Sequence, residues 1–486
     1  MDDQVRMNQS TIDRRADGDV PLVVDLDGTL SRTDTLQEAV VGLLARKPLA
    51  IFRLPGWLAK GRAVFKKRVA DSFVVPGGGL AINEDVLAQV EQARRSGRWT
   101  ALVTAADQRQ ADAVAEELDL FDEVVGSSGG RNLKSDAKAE FLVEKFGLQG
   151  FDYIGDSKAD IPVWKRARSG FTVAASAGLK DLVSKENPAI EHISPQKSKA
   201  SSALRAMRPH QWTKNLLLFL PLLAAHDFTA FSEVVVGFAA FCLVASTVYI
   251  INDLLDLQAD RAHPRKRNRP FASGRLSVAD GIVLGAACLL LALSLALSTG
   301  HILFIATLAV YFAVTFAYSF WIKRKLILDV IVLAGLYTIR VIAGAVVAAT
   351  PLSPWMLGFS MFLFLSLAAI KRQAELADQV ATGRQSSGRA YQVGDIPILI
   401  GMAFSAAHAA VVVLALYIAS EDVQLLYARP ELLWLLCPAV LYWNTRMIMV
   451  AHRNLMSDDP IVFAASDKAS VTIIIASVIV AALATI

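Results

Sequence analysis

The sequence predicts an α/β domain with a parallel sheet, followed by an all-α membrane bundle of nine transmembrane helices. Residues 1–204 contain 28 Lys/Arg and 29 Asp/Glu, whereas the longer stretch 205–486 contains only 21 and 16. Overall 54% of the residues are hydrophobic and 19% are charged, which is too apolar for an ordinary soluble protein. The first part alternates short apolar runs with helical stretches, and the second consists of long apolar segments. A single-domain soluble enzyme is therefore excluded.

Five short apolar runs, each followed by polar or glycine-rich residues, predict the strands of the sheet. They lie at 21–26, 99–104, 122–126, 151–155 and 170–175. About 70 residues separate the first two runs, which is too long for a plain crossover, so we expect a helical cap at about 36–86. The expected organisation is a polar tail at 1–19, the α/β domain at 20–184, a linker at 185–204 and a membrane domain at 205–486.

Nine apolar segments predict the membrane spans. They lie at 215–226, 233–251, 278–299, 301–321, 327–349, 354–370, 396–420, 431–450 and 470–486. Most Lys and Arg residues of this part lie before the first span and in every second loop. The four intervening loops contain a single basic residue, Arg429. This asymmetry predicts a multi-pass protein of the inner or plasma membrane, with a cytoplasmic α/β domain and an outside C-terminus.

Acidic side chains are expected at the carboxyl edge of the sheet. The first strand leads into Asp25 and Asp27, the second ends in Thr104, and the fourth is followed by Asp156 and Asp160. Because the carboxyl ends of parallel strands meet at one edge, these side chains are expected to lie together. Carboxylates hold Mg²⁺, and the ion neutralises a phosphate that they would otherwise repel. The pattern therefore predicts a phosphoryl site in which these four acids are candidate ligands of Mg²⁺.

These motifs, over roughly residues 20–185, resemble the haloacid dehalogenase superfamily near its phosphoserine-phosphatase-like branch. The resemblance implies a Rossmann-like fold in which Asp25 is the nucleophile and Asp27 the general acid/base. It also implies that Thr104 holds a phosphoryl oxygen and that a lysine offsets charge on the nucleophile and the phosphate. Lys138 fits that role better than Lys134, and both remain candidates.

A second acidic pattern follows the second apolar segment. Asp253, Asp256 and Asp260 are spaced i, i+3 and i+7, which places them on one side of a helix. Like charges on one face favour a bound cation. Five bases follow at once: Arg261, Arg265, Lys266, Arg267 and Arg269. Acids for Mg²⁺ beside bases for phosphate oxygens predict a diphosphate site at the cytoplasmic end of the span.

The pattern from Asn252 to Asp260 resembles that of UbiA-type intramembrane prenyltransferases, over roughly residues 203–486. The second acidic motif usual in that family is altered here, since Lys371 precedes Glu375 and Asp378 in the corresponding loop. Segments 208–215, 260–270 and 371–376 resemble instead the decaprenyl-phosphate phosphoribosyltransferase branch. That resemblance implies transfer of a phosphoribosyl group from phosphoribosyl diphosphate to polyprenyl phosphate, with release of diphosphate.

The same resemblance implies roles for further residues. The three Asp residues of the motif would hold Mg²⁺ on the donor diphosphate, Asn252 would orient the site, and Glu375 and Asp378 would assist with metal or ribose hydroxyls. Arg340 lies inside a predicted span and requires either a lipid phosphate or an acid such as Asp329 as its partner. Lys214 and Lys371 are additional candidates for binding phosphate. For Lys214, anchoring at the bilayer is an equally good explanation.

Together the two motif sets predict a membrane transferase whose phosphatase half removes the 5-phosphate of the lipid product. One alternative is a prenyltransferase for an aromatic acceptor such as 4-hydroxybenzoate, with a phosphatase half of other substrate. Another is a membrane scaffold or transporter with a regulatory head. Expected partners are polyprenyl phosphate, phosphoribosyl diphosphate, the lipid bilayer and downstream enzymes that build a cell-envelope polysaccharide. The net charge of +4 comes from bases spread between apolar spans, so no nucleic-acid partner is expected.

Overall fold

The computed structural model describes residues 20–128, 132–193, 198–382, 390–456 and 459–486. The chain divides into two compact units. The first unit contains Ala206 and the described residues before it, together with Ile250–Leu284. The second contains Met207–Tyr249 and Gly285–Ile486. The acidic segment around Asp253 thus belongs to the same unit as the α/β domain.

Six parallel strands form one sheet in the first unit, in the order β3-β2-β1-β4-β5-β6. The strands are β1 Leu22–Val24, β2 Thr100–Asp107, β3 Glu123–Ser127, β4 Asp152–Gly155, β5 Gly170–Val173 and β6 Ile190–Ile193. The central strand β1 is buried along its whole length, which explains its uninterrupted run of apolar residues. The parallel α/β architecture confirms that part of the predicted fold class.

The sixth strand differs from expectation, because β6 lies within the stretch predicted as a linker, 185–204. It pairs in parallel with β5, from Gly170 opposite Ile190 to Val173 opposite Ile193. Its two middle residues, Glu191 and His192, are exposed. An edge strand with polar residues lacks the apolar run by which the inner strands were recognised.

Helices cover both faces of the sheet, and an inserted group of short helices follows β1. The α-helices of this part are α1 Thr35–Arg46, α2 Leu54–Ala59, α3 Arg62–Ser72, α4 Glu84–Arg95, α5 Gln108–Leu118, α6 Asp136–Phe146, α7 Ile161–Trp164, α8 Ala177–Glu186 and α9 Lys199–Met207. Short 3-10 helices lie at Pro48–Phe52, Gly77–Gly79 and Lys158–Asp160. The helices α1–α3 occupy the predicted cap region. The Asp34 side chain caps α1 by accepting a hydrogen bond from the Gln37 amide at 2.9 Å.

The rest of the chain is helical. Its α-helices are α10 Leu220–Ala225, α11 Phe231–Leu255, α12 Leu257–Ala262, α13 Val278–Ser298, α14 Ile302–Phe320, α15 Leu328–Val347, α16 Pro354–Thr382, α17 Ile396–Ile418, α18 Glu421–Leu426, α19 Leu436–His452, α20 Pro460–Ser466 and α21 Lys468–Thr485. Further 3-10 helices lie at Pro209–Phe219, Lys266–Asn268, Ile322–Arg324, Val393–Asp395 and Pro430–Leu435.

Eight helices in the described part of the chain are long and apolar enough to cross a bilayer. They are α11, α13, α14, α15, α16, α17, α19 and α21, of which α19 is extended by the preceding 3-10 helix. The ninth expected span, 215–226, is not confirmed. It consists of the end of the 3-10 helix Pro209–Phe219 and the six-residue α10, in whose first turn Pro221 has no amide hydrogen to donate. The composition indicates a multi-pass membrane protein.

Candidate functional sites

A cluster of carboxylates lies at the carboxyl edge of the sheet, beyond β1 and β4. Ligand atoms of Asp25, Asp156 and Asp160 all lie within 4.8 Å of one another. Gly28 makes this approach possible, since a Cβ there would come within 2.2 Å of an Asp156 carboxylate oxygen and its φ of +78° disfavours other residues. The sequence predicts that the ends of the strands bring these acids close together, and this geometry agrees with that prediction.

The electrostatics of the cluster favour a bound cation. Burial, together with the charge of Asp160, raises the pKa of Asp156 to about 8. Burial, together with the charge of Asp34, raises the pKa of Asp27 to about 7. Both shifts follow from burial and from neighbouring negative charges, which a bound cation would offset. Because carboxylate oxygens are the ligands that Mg²⁺ prefers, the residues present fit that ion.

Lys138 is the cation that the fold places in this cluster. Its Nζ lies 2.9 Å from Asp25 Oδ1 and 3.5 Å from Asp160 Oδ1. Burial alone would lower the pKa of this lysine, but the charges of Asp25 and Asp160 outweigh it and raise the pKa above its usual value. Lys134, the other sequence candidate, is exposed. Sequence reasoning missed Tyr153, whose hydroxyl accepts from Lys138 at 2.9 Å and donates to Asp160 at 2.6 Å.

A cavity lies between cap and sheet, next to one of the two remaining predicted residues of this edge. Asp27 lines the cavity, and its Oδ1 accepts a hydrogen bond from the Thr35 amide at 2.7 Å. Thr104 is fully buried on β2, two positions beyond the residue that pairs with Val24. The cavity measures about 60 Å³. Its lining, which sequence reasoning did not identify, combines apolar side chains with Asp34, Lys66, Asp107 and Gln110.

The second acidic pattern lies at the end of α11 and in α12. Arg269 joins two of its members, with Nη1 3.1 Å from Asp253 Oδ1 and 2.6 Å from Asp260 Oδ2. Both carboxylates are buried, whereas Asp256 is exposed. Burial raises the pKa of Asp260, and the charge of Asp256 adds to the effect. The structure thus joins Asp253 and Asp260 through Arg269, which was expected to bind phosphate, and leaves Asp256 exposed at the break between α11 and α12.

The other bases of this segment divide into two kinds. Arg265, Lys266 and Arg267 are exposed, and Asn252 is half-buried. Arg261 instead forms a bidentate ion pair with Glu38 of α1, in which each of two nitrogens lies 2.6 Å from a carboxylate oxygen. Its Nε also donates to the Ala272 carbonyl at 2.9 Å. Arg261 thus contacts a carboxylate in this structure, and its role in phosphate binding stays a prediction.

In the second unit, two lysines share one carboxylate. Lys214 Nζ lies 2.6 Å and Lys371 Nζ 3.1 Å from the same oxygen, Asp459 Oδ2. Burial opposes ionisation of Asp459, but the two ammonium groups outweigh it and hold the pKa of this carboxyl well below its usual value. Both Lys214 and Asp459 are buried. The group carries one more positive than negative charge, and Asp459 was not among the predicted site residues.

Arg340 is buried in the same unit, where polar side chains rather than an acid accept hydrogen bonds from its guanidinium group. Its Nε donates to Asn215 Oδ1 at 2.9 Å and its Nη2 to the Tyr311 hydroxyl at 3.1 Å. Asp329, the acid named as a candidate partner, lies 2.8 Å from Arg372. The described part of the chain provides no carboxylate ion pair for Arg340, so its positive charge is not neutralised by an acid within that part.

The remaining acidic candidates lie on α16. Glu375 forms an ion pair with Arg372, three residues before it, and Asp378 is exposed one turn further along. Glu375 thus neutralises part of the charge around a buried arginine that also pairs with Asp329.

Comparison with known proteins gives one family and several relatives. The UbiA prenyltransferase family matches residues 216–466. An uncharacterized protein of Sinorhizobium fredii, y4nM, is 40% identical over 465 residues, which cover 93% of this chain and 89% of that protein. The nodulation protein NoeC of Azorhizobium caulinodans is 38% identical over 274 residues, 56% of this chain and 89% of that protein. The decaprenyl-phosphate phosphoribosyltransferase of Mycolicibacterium smegmatis is 42% identical over 199 residues, 39% of this chain and 61% of that enzyme.

Proposed function

Because the chain belongs to the UbiA prenyltransferase family, we propose that its membrane half transfers a phosphoribosyl group from phosphoribosyl diphosphate to polyprenyl phosphate. We further propose that the α/β half is a Mg²⁺-dependent phosphatase that removes the 5-phosphate of the lipid product. The first step attaches to the lipid a ribose that already carries a 5-phosphate monoester, and the second step hydrolyses that ester, so a single chain would perform two consecutive reactions. We also propose that the phosphatase half lies on the cytoplasmic side, because the positive loops are expected there.

The choice of donor and acceptor is supported by the relative from Mycolicibacterium smegmatis, which is named a decaprenyl-phosphate phosphoribosyltransferase. The acids joined by Arg269 support it chemically. Mg²⁺ held by Asp253, Asp256 and Asp260 would neutralise the donor diphosphate and stabilise it as a leaving group. The C–O bond between ribose and diphosphate breaks, and an oxygen of the lipid phosphate forms the new bond to the ribosyl carbon.

The cations of the second unit support an anionic acceptor. Lys214, Lys371 and Arg340 place three positive charges in the interior, and Asp459 supplies one negative charge. Uncompensated charge inside a membrane protein is costly, which makes such residues candidates for substrate binding. We assign Lys214, Lys371 and Arg340 to the phosphate of the lipid acceptor. The exposed bases Arg265, Lys266 and Arg267 are assigned to the donor phosphates.

The phosphatase assignment depends on one observation, the contact of Lys138 with Asp25 inside the carboxylate cluster. An Asp25 oxygen would attack phosphorus while the bond from phosphorus to the ribose 5-oxygen breaks, and Asp27 would protonate that oxygen. Water would then attack the aspartyl-phosphate, give a proton to Asp27 and release inorganic phosphate. Lys138 and Thr104 would stabilise charge on the phosphoryl oxygens. Asp156 and Asp160 would hold Mg²⁺, which neutralises the phosphate.

We expect Lys138→Ala to lower the rate of hydrolysis of a small soluble phosphate ester by about 10²–10³-fold, because a preorganised charge on the phosphoryl group is lost. Lys134→Ala is the matched control, since that lysine is exposed, and it should leave the rate unchanged. Removing a buried partner is also expected to destabilise the fold by about 3–5 kcal/mol, so thermal unfolding is measured alongside. Loss of activity in Lys134→Ala with normal activity in Lys138→Ala would refute the assignment.

A further inference from the structure

The outer part of the cap is strongly basic. Residues 39–70 contain no Asp or Glu. They contain eight Lys or Arg: Arg46, Lys47, Arg53, Lys60, Arg62, Lys66, Lys67 and Arg68. All of these except Lys66 are exposed. A run of 32 residues with this charge forms a local positive field that attracts an anionic surface.

Large apolar side chains stand among these bases and face solvent. Leu49 is 74% and Phe52 is 80% exposed, and Ile51 and Leu58 are also exposed. The helix α2 contains no buried residue, although its sequence LPGWLA is mostly apolar. Single exposed apolar residues are common, but a group of this kind beside bases marks an interaction surface.

The exposed apolar side chains of the cap point outward because the opposite side of the cap packs against the core of the α/β domain. Ala50 and Val69 are buried in the apolar cluster that covers one face of the sheet. Trp57 and Phe65 pack against the same cluster. The cap therefore has an inner apolar face that belongs to the core and an outer apolar face that no described residue covers.

We propose that this outer face, defined by Leu49, Ile51, Phe52 and Leu58, docks on the anionic surface of the lipid bilayer. Bases combined with Leu and Phe are the composition of interfacial segments, in which the apolar residues enter the headgroup boundary and the bases contact anionic lipids. A bilayer is favoured over a soluble partner because the same chain has eight helices suited to cross one, which keeps the cap at high local concentration near its surface.

Docking gives the phosphatase half a substrate class, and this step depends on the function proposed above. The helix α3 supplies Lys66, Val69 and Ala70 to the cavity that Asp27 also lines. A cap seated in the headgroup layer would hold this cavity where phosphate monoesters carried by lipids are presented. The structure thus points to an interfacial phosphatase that prefers lipid-borne to freely soluble substrates.

The test of docking uses the full chain in nanodiscs of phosphatidylcholine, with or without phosphatidylglycerol. The photoreactive analogue p-benzoylphenylalanine replaces Phe52 in one protein and Leu148, an exposed leucine outside the cap, in the control. We expect lipid adducts by mass spectrometry at position 52 and not at 148, in larger amount when phosphatidylglycerol is present. Absence of lipid adducts at position 52, or adducts to a second copy of the chain, would overturn the proposal.

The proposed preference for lipid-borne substrates is tested by comparing a lipid substrate with a soluble one. The double variant Leu49→Ser with Phe52→Ser should raise KM for a phosphoribosyl lipid in the bilayer by up to about a hundredfold, because each of the two large apolar side chains that leaves water contributes roughly tenfold. Hydrolysis of a small soluble ester should not change, and Leu148→Ser should change neither. Equal effects on both substrates would contradict the inference. If the wild type hydrolysed neither substrate, the proposed phosphatase activity would be refuted. Docking of the cap on the bilayer would then be decided by the crosslinking result alone.

Discussion

In protein carrying Asp25→Asn, we expect the phosphoribosyl lipid to accumulate with its 5-phosphate intact. The variant lacks the oxygen nucleophile but keeps nearly the same shape, so hydrolysis should fall by about 10⁴-fold or more, the scale of losing a covalent nucleophile. Transfer of phosphoribosyl to the lipid should continue at its normal rate. The measurement is mass spectrometry of the lipid products over time, with phosphoribosyl diphosphate and polyprenyl phosphate supplied.

Asp119→Asn provides the matched control for this experiment. Asp119 is exposed and follows α5 with a φ of +50°, a conformation that Asn adopts readily. This variant should dephosphorylate the lipid as the wild type does. If Asp25→Asn instead removed the 5-phosphate at the normal rate, the cluster around Asp25 would not be the phosphatase site.

Replacing Asp253 by Asn is expected to stop the first reaction while leaving the second unaffected. The acids at this position are proposed to hold the metal on the donor diphosphate, and the loss of one such preorganised charge should lower transfer by about 10²–10³-fold. Hydrolysis of a small soluble phosphate ester by the α/β half should remain normal. Transfer is measured as incorporation of labelled ribose into lipid.

Asp253 is buried against Arg269, so its replacement also breaks an ion pair that contributes to stability. Asp256→Asn separates loss of a proposed metal ligand from loss of stability. Because Asp256 is exposed, its replacement should leave the thermal unfolding temperature unchanged. Asp227→Asn is the matched control, at an exposed aspartate whose nearest partner is Thr229. Normal transfer in both Asp253→Asn and Asp256→Asn would exclude the acidic segment from the donor site and favour a scaffold or transporter.

The sheet and its site residues could be predicted because their signals are local. An apolar run that ends in an acidic or hydroxyl residue is visible in a few positions, as at Asp25 and Thr104, and parallel strands then bring these residues to one edge. Lys138 was preferred to Lys134 on pattern alone, and the contact with Asp25 agrees with that preference. Tyr153 could not be recognised, because a tyrosine in a buried strand has the same pattern as any core residue.

The long-range pairs could not be predicted, because nothing in the chain links their members. Glu38 and Arg261 are separated by 223 positions, and Lys214 and Asp459 by 245. Arg261 was expected to bind phosphate because it follows three acids and begins a basic run, a local pattern that does not reveal a distant carboxylate. The expected span at 215–226 was not confirmed for a related reason, since an apolar segment does not show that its residues form two short helices.

If one chain makes a ribosylated lipid and then dephosphorylates it, both products should appear in order in a single reaction. In this experiment the protein is incubated in nanodiscs with Mg²⁺, polyprenyl phosphate and phosphoribosyl diphosphate, and the lipids are followed by mass spectrometry. We expect a phosphoribosyl lipid to appear first and then to be converted into polyprenyl-phospho-ribose without the 5-phosphate. A phosphoribosyl lipid that persists would contradict the phosphatase, and the absence of any sugar-bearing lipid would contradict the transferase.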